Sequence, residues 1–173
     1  TIVKNLSSNS YTGTVNGATF NSDGYFETTS NAYVSAGTGA GATGTSAMTV
    51  EQWVRASSLP VTYHATFYSQ SSNVAGYYGL GYGTPDAWFF SDFDGVSRNT
   101  ANGGSAPTLN VWYHFCGRRD AFGNLTIWIN GSDVTSGMPI STGLNFTAAD
   151  PRIGSNPAAP TSEYWDGDIA ETR

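Results

Sequence analysis

Apolar and polar positions alternate along short stretches of this chain, and clusters of Gly, Asn, Ser and Thr interrupt them, a pattern that predicts β-strands joined by turns. The clearest stretch is Trp112-Tyr113-His114-Phe115-Cys116-Gly117-Arg118, which leads through a polar turn into Leu125-Thr126-Ile127-Trp128-Ile129-Asn130. It reads as two antiparallel strands, with Asn130-Gly131 closing the second. The same reading predicts strands over 25–28, 32–35, 47–55, 65–69, 77–82, 87–92, 152–154 and 168–172. Residues 37–44 and 99–107, rich in Gly, Ala, Asn and Thr, are expected to be surface loops. Helical periodicity persists nowhere for more than a turn.

Side chains alternate across a strand, so parity assigns faces. Met48, Val50, Gln52 and Val54 share one face of their strand, while Thr49, Glu51, Trp53 and Arg55 share the other. Leu125, Ile127 and Ile129 likewise oppose Thr126, Trp128 and Asn130. Many half-apolar strands need a second sheet to cover them, which predicts an all-β, two-layer antiparallel sandwich rather than an open sheet. Trp53 is left either beneath a loop or displayed.

Composition supports this class. Of 173 residues 14% are aromatic and only 12% charged, with 21 glycines, a balance that buries a core and does not resemble a disordered chain. The length suits one domain over 1–173 without metal or disulfide staples. No linker, charge block or solenoid-length repeat divides it. A net charge of −6 with seven scattered basic residues argues against nucleic acid as a partner. No run approaches the roughly 20 apolar residues of a membrane span. Cys116 is alone, in an apolar strand where it is expected to be a small buried hydrophobe. The chain begins at Thr1, which suggests a processed or excised piece of a longer product. Sequons stand at Asn5, Asn124, Asn130 and Asn145, in a composition where they also arise by chance.

Several blocks in order resemble the laminin G-like domains of the concanavalin A-like lectin and glucanase superfamily. They are Gly13-Thr14-Val15-Asn16-Gly17-Ala18-Thr19-Phe20, Thr49-Val50-Glu51-Gln52-Trp53-Val54, Trp112-Tyr113-His114, Asn124 to Gly131, Arg152-Ile153-Gly154 and Gly167-Asp168-Ile169-Ala170-Glu171. The resemblance covers nearly the whole chain. It implies a jelly-roll sandwich of two curved antiparallel sheets and an extracellular, cell-surface or virion-surface location. The chain departs from the family pattern where an acidic Phe-Asp-Gly and Asp-Tyr are common, since Phe26 is followed by Glu27-Thr28-Thr29-Ser30-Asn31-Ala32-Tyr33. An inherited calcium site has lost those carboxylates.

Candidate chemistry is sparse. Calcium needs converging oxygens, and the pairs Asp92 with Asp94 and Asp166 with Asp168 could offer them, or could cap turns. Glycosidases of the resembled superfamily set two carboxylates on one strand face; here Asp166 and Asp168 share parity but Glu171 points oppositely. His64, in a Tyr-flanked turn, and His114, in a core strand, have no nucleophile elbow to serve and read as structural. No catalytic residue is assigned. Aromatic rings near Gly-rich turns are the better binding candidates, because an indole or phenol can lie on the apolar face of a sugar: Tyr63, Tyr77, Tyr78, Tyr82, Trp88, Tyr164 and Trp165. The cluster Trp88-Phe89-Phe90 with Phe93 must turn at least one ring outward or under a loop. These features point to a non-catalytic adhesion or recognition module that binds a glycan or protein surface. The alternatives are a structural subunit that docks on neighbours in a phage decoration, fibre, tail or surface filament, and a glycoside hydrolase relative.

Overall fold

A computed structural model describes residues 2–4, 12–37, 44–45, 47–59, 62–70, 72–83, 86–137, 139–140, 145–146 and 150–173. These residues contain strands and no helix. In chain order the strands are β1 (Ile2–Lys4), β2 (Thr12–Asn16), β3 (Thr19–Phe20), β4 (Phe26–Thr28), β5 (Tyr33–Ser35), β6 (Met48–Ala56), β7 (Tyr63–Tyr68) and β8 (Tyr77–Gly83). There follow β9 (Ala87–Phe93), β10 (Arg98–Gly103), β11 (Trp112–Arg119), β12 (Leu125–Ile129), β13 (Ser132–Asp133), β14 (Thr135–Ser136), β15 (Arg152–Ile153) and β16 (Gly167–Ala170). Two antiparallel sheets result. One runs β1-β2-β5-β15-β7-β8-β9-β10-β14 and the other β13-β12-β11-β6-β16-β4-β3.

Parity decides what each sheet turns inward. In β6, Val50, Gln52, Val54 and Ala56 are buried while Trp53 is exposed, as the alternation predicts. The polar member of that inward row is anchored through its amide nitrogen: Gln52 Nε2 donates to Thr66 O at 3.2 Å and to Thr172 Oγ1 at 2.9 Å. Opposite it, Tyr78, Leu80 and Tyr82 of β8 and Trp88 and Phe90 of β9 close the core against Phe115, Leu125, Ile127 and Trp165.

Residues 99–107, expected to form a loop, instead contribute β10. Arg98 to Gly103 pair residue by residue with β9, from Arg98 opposite Phe93 to Gly103 opposite Trp88. The segment has little apolar pattern of its own; the neighbouring strand recruits it, with Ala101 fully buried inward. At its end only glycine fits, because a Cβ on Gly103 would enter the Val134 carbonyl.

The β11–β12 hairpin turns as expected, and its turn chemistry is explicit. Asp120 accepts from the Phe122 and Asn124 amides at 2.8 and 2.9 Å and from Asn124 Nδ2 at 2.7 Å, which holds its carboxyl below the usual range. The Asn130-Gly131 turn, with φ of 51° and 79°, connects β12 to β13. Asn130 Oδ1 also accepts from the His114 amide at 2.9 Å. Two of the sequon asparagines thus have turn-building roles; Asn145 is exposed, and Asn5 lies outside the described residues.

Candidate functional site

Strand β8 reads Tyr77-Tyr78-Gly79-Leu80-Gly81-Tyr82-Gly83, and its two faces differ sharply. Tyr78, Leu80 and Tyr82 point into the core. On the outer face only Tyr77 carries a side chain, beside a file of three glycines. Neighbouring rings occupy the space that Cβ atoms there would need: Tyr77 above Gly79, Phe89 above Gly81 and Tyr63 above Gly83. Small residues in a sheet interior let other groups approach the backbone closely. Beside these rings a groove of about 450 Å³ crosses the outer face of the nine-stranded sheet.

One end of the groove is aromatic. Tyr63, 42% exposed, meets Phe89 edge to face with ring centroids 5.9 Å apart. Ser91, Thr100 and Asn102 line it on adjacent outward positions of β9 and β10, where Ser91 pairs with Thr100 and Phe89 with Asn102. The far end carries Arg98 and Glu163. Arg98 is held in place, its guanidinium carbon 5.3 Å from the Tyr77 ring centroid and 5.9 Å from that of Phe93, with Nη2 donating to Ser72 O at 2.5 Å. Glu163 Oε2 accepts from Asn156 Nδ2 at 2.7 Å. Beneath Arg98, burial pushes the Tyr77 phenol up to about 12, so it stays protonated and shares a hydrogen bond with Ser91 Oγ at 3.2 Å. An apolar ring at one end, hydroxyl and amide groups between and a fixed guanidinium at the other can stack on a sugar and take its polar groups.

Of the aromatics singled out from sequence, Tyr63 alone is strongly exposed in this groove. Tyr78, Tyr82, Trp88 and Trp165 are core residues at 0–1% exposure and offer no surface. Tyr77 points outward but is fully covered by its neighbours. Tyr164 is half-buried, stacked on His64 at 5.8 Å. Phe89 is the outward ring of the Trp88-Phe89-Phe90 cluster. The signal for both findings was the parity of β8 and β9, which sends Tyr78 and Trp88 inward and Phe89 outward.

The four aspartates do not converge. Asp92 is buried on the inner side of β9, accepting from Asn99 Nδ2 at 3.0 Å, while Asp94 in the following turn accepts from the Val96 and Ser97 amides at 2.7 and 2.6 Å. Those amides hold the Asp94 carboxyl below its ordinary value. Asp166 accepts from Ser58 Oγ at 2.5 Å, and Asp168 is paired with Arg55 Nε at 2.7 Å. Each carboxylate thus has its own local donor. Among the described residues no cluster of three or more His, Cys, Asp or Glu is placed to hold a metal ion.

Four further expectations change. Glu171 adopts φ 46°, and this left-handed turn sends it to the outer face with Asp168 instead of the opposite side. His64 lies within β7 rather than in a turn, and His114 faces outward beside Glu51, Nε2 to Oε2 3.3 Å. Cys116 is half-buried on that same outward face, opposite Glu51, where burial pushes its thiol up.

The model of a family described as the concanavalin A-like lectin/glucanases superfamily, of the laminin G type, matches residues 27–173. The chain belongs to that family. Solved structures of the same fold include the botulinum neurotoxin serotype G binding domain, with a TM-score of 0.73 at 15% identity over 98% of this chain and 44% of that one. Mouse laminin α1 domains LG4-5 give 0.64 at 16% identity over 87% and 40%. The CBM40 of a Ruminococcus gnavus IT-sialidase bound to α2,3-sialyllactose gives 0.58 at 13% over 75% and 74%. The chain spans less than half the length of the laminin and neurotoxin chains. Among curated proteins no sequence matches. For this laminin G-like chain the likenesses establish a sandwich fold.

Proposed function

We propose that this laminin G-like protein is a non-catalytic recognition module, working outside the cell or on a virion surface, that binds glycans in the groove across its nine-stranded sheet. The observation that carries the reading is the groove on the outer face of the nine-stranded sheet, where the exposed Tyr63 ring, packed over Gly83 and against Phe89, stands beside a row of hydroxyl and amide groups. A sugar has the matching chemistry, one apolar face for the Tyr63 ring and hydroxyls for Thr100 and Asn102. The carboxylates that a hydrolase would need are engaged elsewhere, Asp168 by Arg55 and Asp166 by Ser58. Among proteins of similar fold, the Ruminococcus gnavus CBM40 binds α2,3-sialyllactose and botulinum neurotoxin type C depends for cell entry on interaction with two ganglioside molecules.

A glycan array followed by titration of the best hit tests the reading. Tyr63→Ala is expected to weaken binding about tenfold, equivalent to about 1.4 kcal/mol. Because Tyr63 is exposed, the same change should leave unfolding within about 0.5 kcal/mol of the parent. An empty array, or equal affinity of Tyr63→Ala, rejects the groove. If an empty array came with self-association burying more than roughly 1,000 Å², a structural subunit would be the better account.

A further inference from the structure

The outer face of the seven-stranded sheet, opposite the groove, carries an open basin of about 420 Å³. Register creates it. Ala170 of β16 stands beside Trp53 of β6, so a methyl group forms the floor next to an indole wall. Tyr25 and Trp112 wall the other side. Trp53 is 41% exposed although its strand is interior to the sheet, flanked by β11 and β16.

One wall already holds a cation. The Arg55 guanidinium carbon lies 5.3 Å from the Tyr25 ring centroid and 5.0 Å from that of Trp112, with its charge matched by Asp168. The other wall, Trp53, has only His114 on its ring among the described residues, centroids 5.3 Å apart. Around it the charges are unbalanced. Asp23, Glu27, Glu51, Asp168 and Glu171 face this side, against Arg55, Arg118 and Arg173. Arg173 is shared between Glu51 at 3.6 Å and Glu171 at 3.3 Å. The exposed Asp23 lies in no ion pair among the described residues.

We infer that this basin is a second binding site, which receives a lysine or arginine side chain from a basic segment of a partner protein. The aliphatic stem lies on Ala170 and the Trp53 face, and the charged head reaches Asp23 and Glu171. An aromatic face and a carboxylate attract a cation together, and the net charge of −6 steers basic segments toward the molecule. An anionic ligand would meet the surplus carboxylates. The site is independent of the groove, and neither reading rests on the other.

The test is a titration of the whole chain with acetyl-hexalysine amide, at about 150 mM salt so that diffuse attraction is screened, followed by the indole N–H resonances. Trp53 is expected to shift, and Trp53→Ala to weaken binding about fivefold or more. The double variant Asp23→Asn with Glu171→Gln keeps every ring in place and should weaken it similarly, while Tyr63→Ala leaves it unchanged. The inference is overturned if Trp53 does not shift at about 5 mM peptide, if Trp53→Ala binds equally well, or if hexaglutamate competes. A Trp53 shift with neutral oligosaccharides alone would make the basin a sugar site instead.

Discussion

Trp88→Ala will lower the free energy of unfolding by about 4 kcal/mol and the melting temperature by about 10 °C, as read by denaturant and thermal unfolding. Trp88 is 1% exposed, and its ring lies 4.8 Å from Phe115, 5.5 Å from Tyr82 and 6.2 Å from Trp165, centroid to centroid. Its indole N–H donates to Ser105 O at 3.0 Å. Alanine therefore removes the ring at the junction of both sheets, leaves a cavity that its neighbours cannot fill without leaving their rotamers, and strips a carbonyl of its donor. The contrast with Tyr63→Ala separates core from site: one change acts on stability and the other on ligand affinity. A Trp88→Ala variant that lost less than about 1 kcal/mol would mean that the ring is not packed between the sheets.

Trp88 also marks where sequence was legible and where it was not. Alternation in β6 placed Val50, Gln52 and Val54 inside and Trp53 and Arg55 outside, and the structure agrees. The same parity in β8 and β9 sorts Tyr78, Tyr82 and Trp88 from the outward positions, but proximity to glycine had suggested display for all of them. Those glycines, on the outward parity, make room for rings from adjacent strands. What alternation could not supply is which strands are neighbours. The groove needs β7, β8, β9 and β10 side by side, and the last of these has no apolar pattern to announce it. The basin needs Trp112 of β11 and Tyr25 before β4 brought to either side of Arg55. Glu171 was misplaced because a left-handed residue reverses parity, and nothing in Ala170-Glu171-Thr172 predicts that turn.

Stability should also fall between about pH 6.5 and about pH 4, and one buried histidine accounts for the slope. His64 is 6% exposed, stacked on Tyr164 and edge-on to Trp165 with centroids 5.8 Å away in both cases. Burial lowers its pKa from 6.5 to about 4, against a smaller upward pull from Asp166. In the unfolded chain the imidazole takes up a proton as pH drops below 6.5, while in the folded protein it stays neutral until about pH 4. The stabilisation is accordingly complete above pH 6.5, declines as pH falls through the window, and has been lost below about pH 4, a total of at most about 3 kcal/mol. Asp94, Asp120 and Asp133, which are held below the ordinary carboxylate value of 3.8 by hydrogen bonds, act below that window. Denaturant unfolding at about pH 7.5 and about pH 4.5 measures the difference. His64→Phe keeps an aromatic ring between Tyr164 and Trp165 without the titrating nitrogen, and should flatten most of it. An unchanged slope in that variant would show that the buried His64 is not its source.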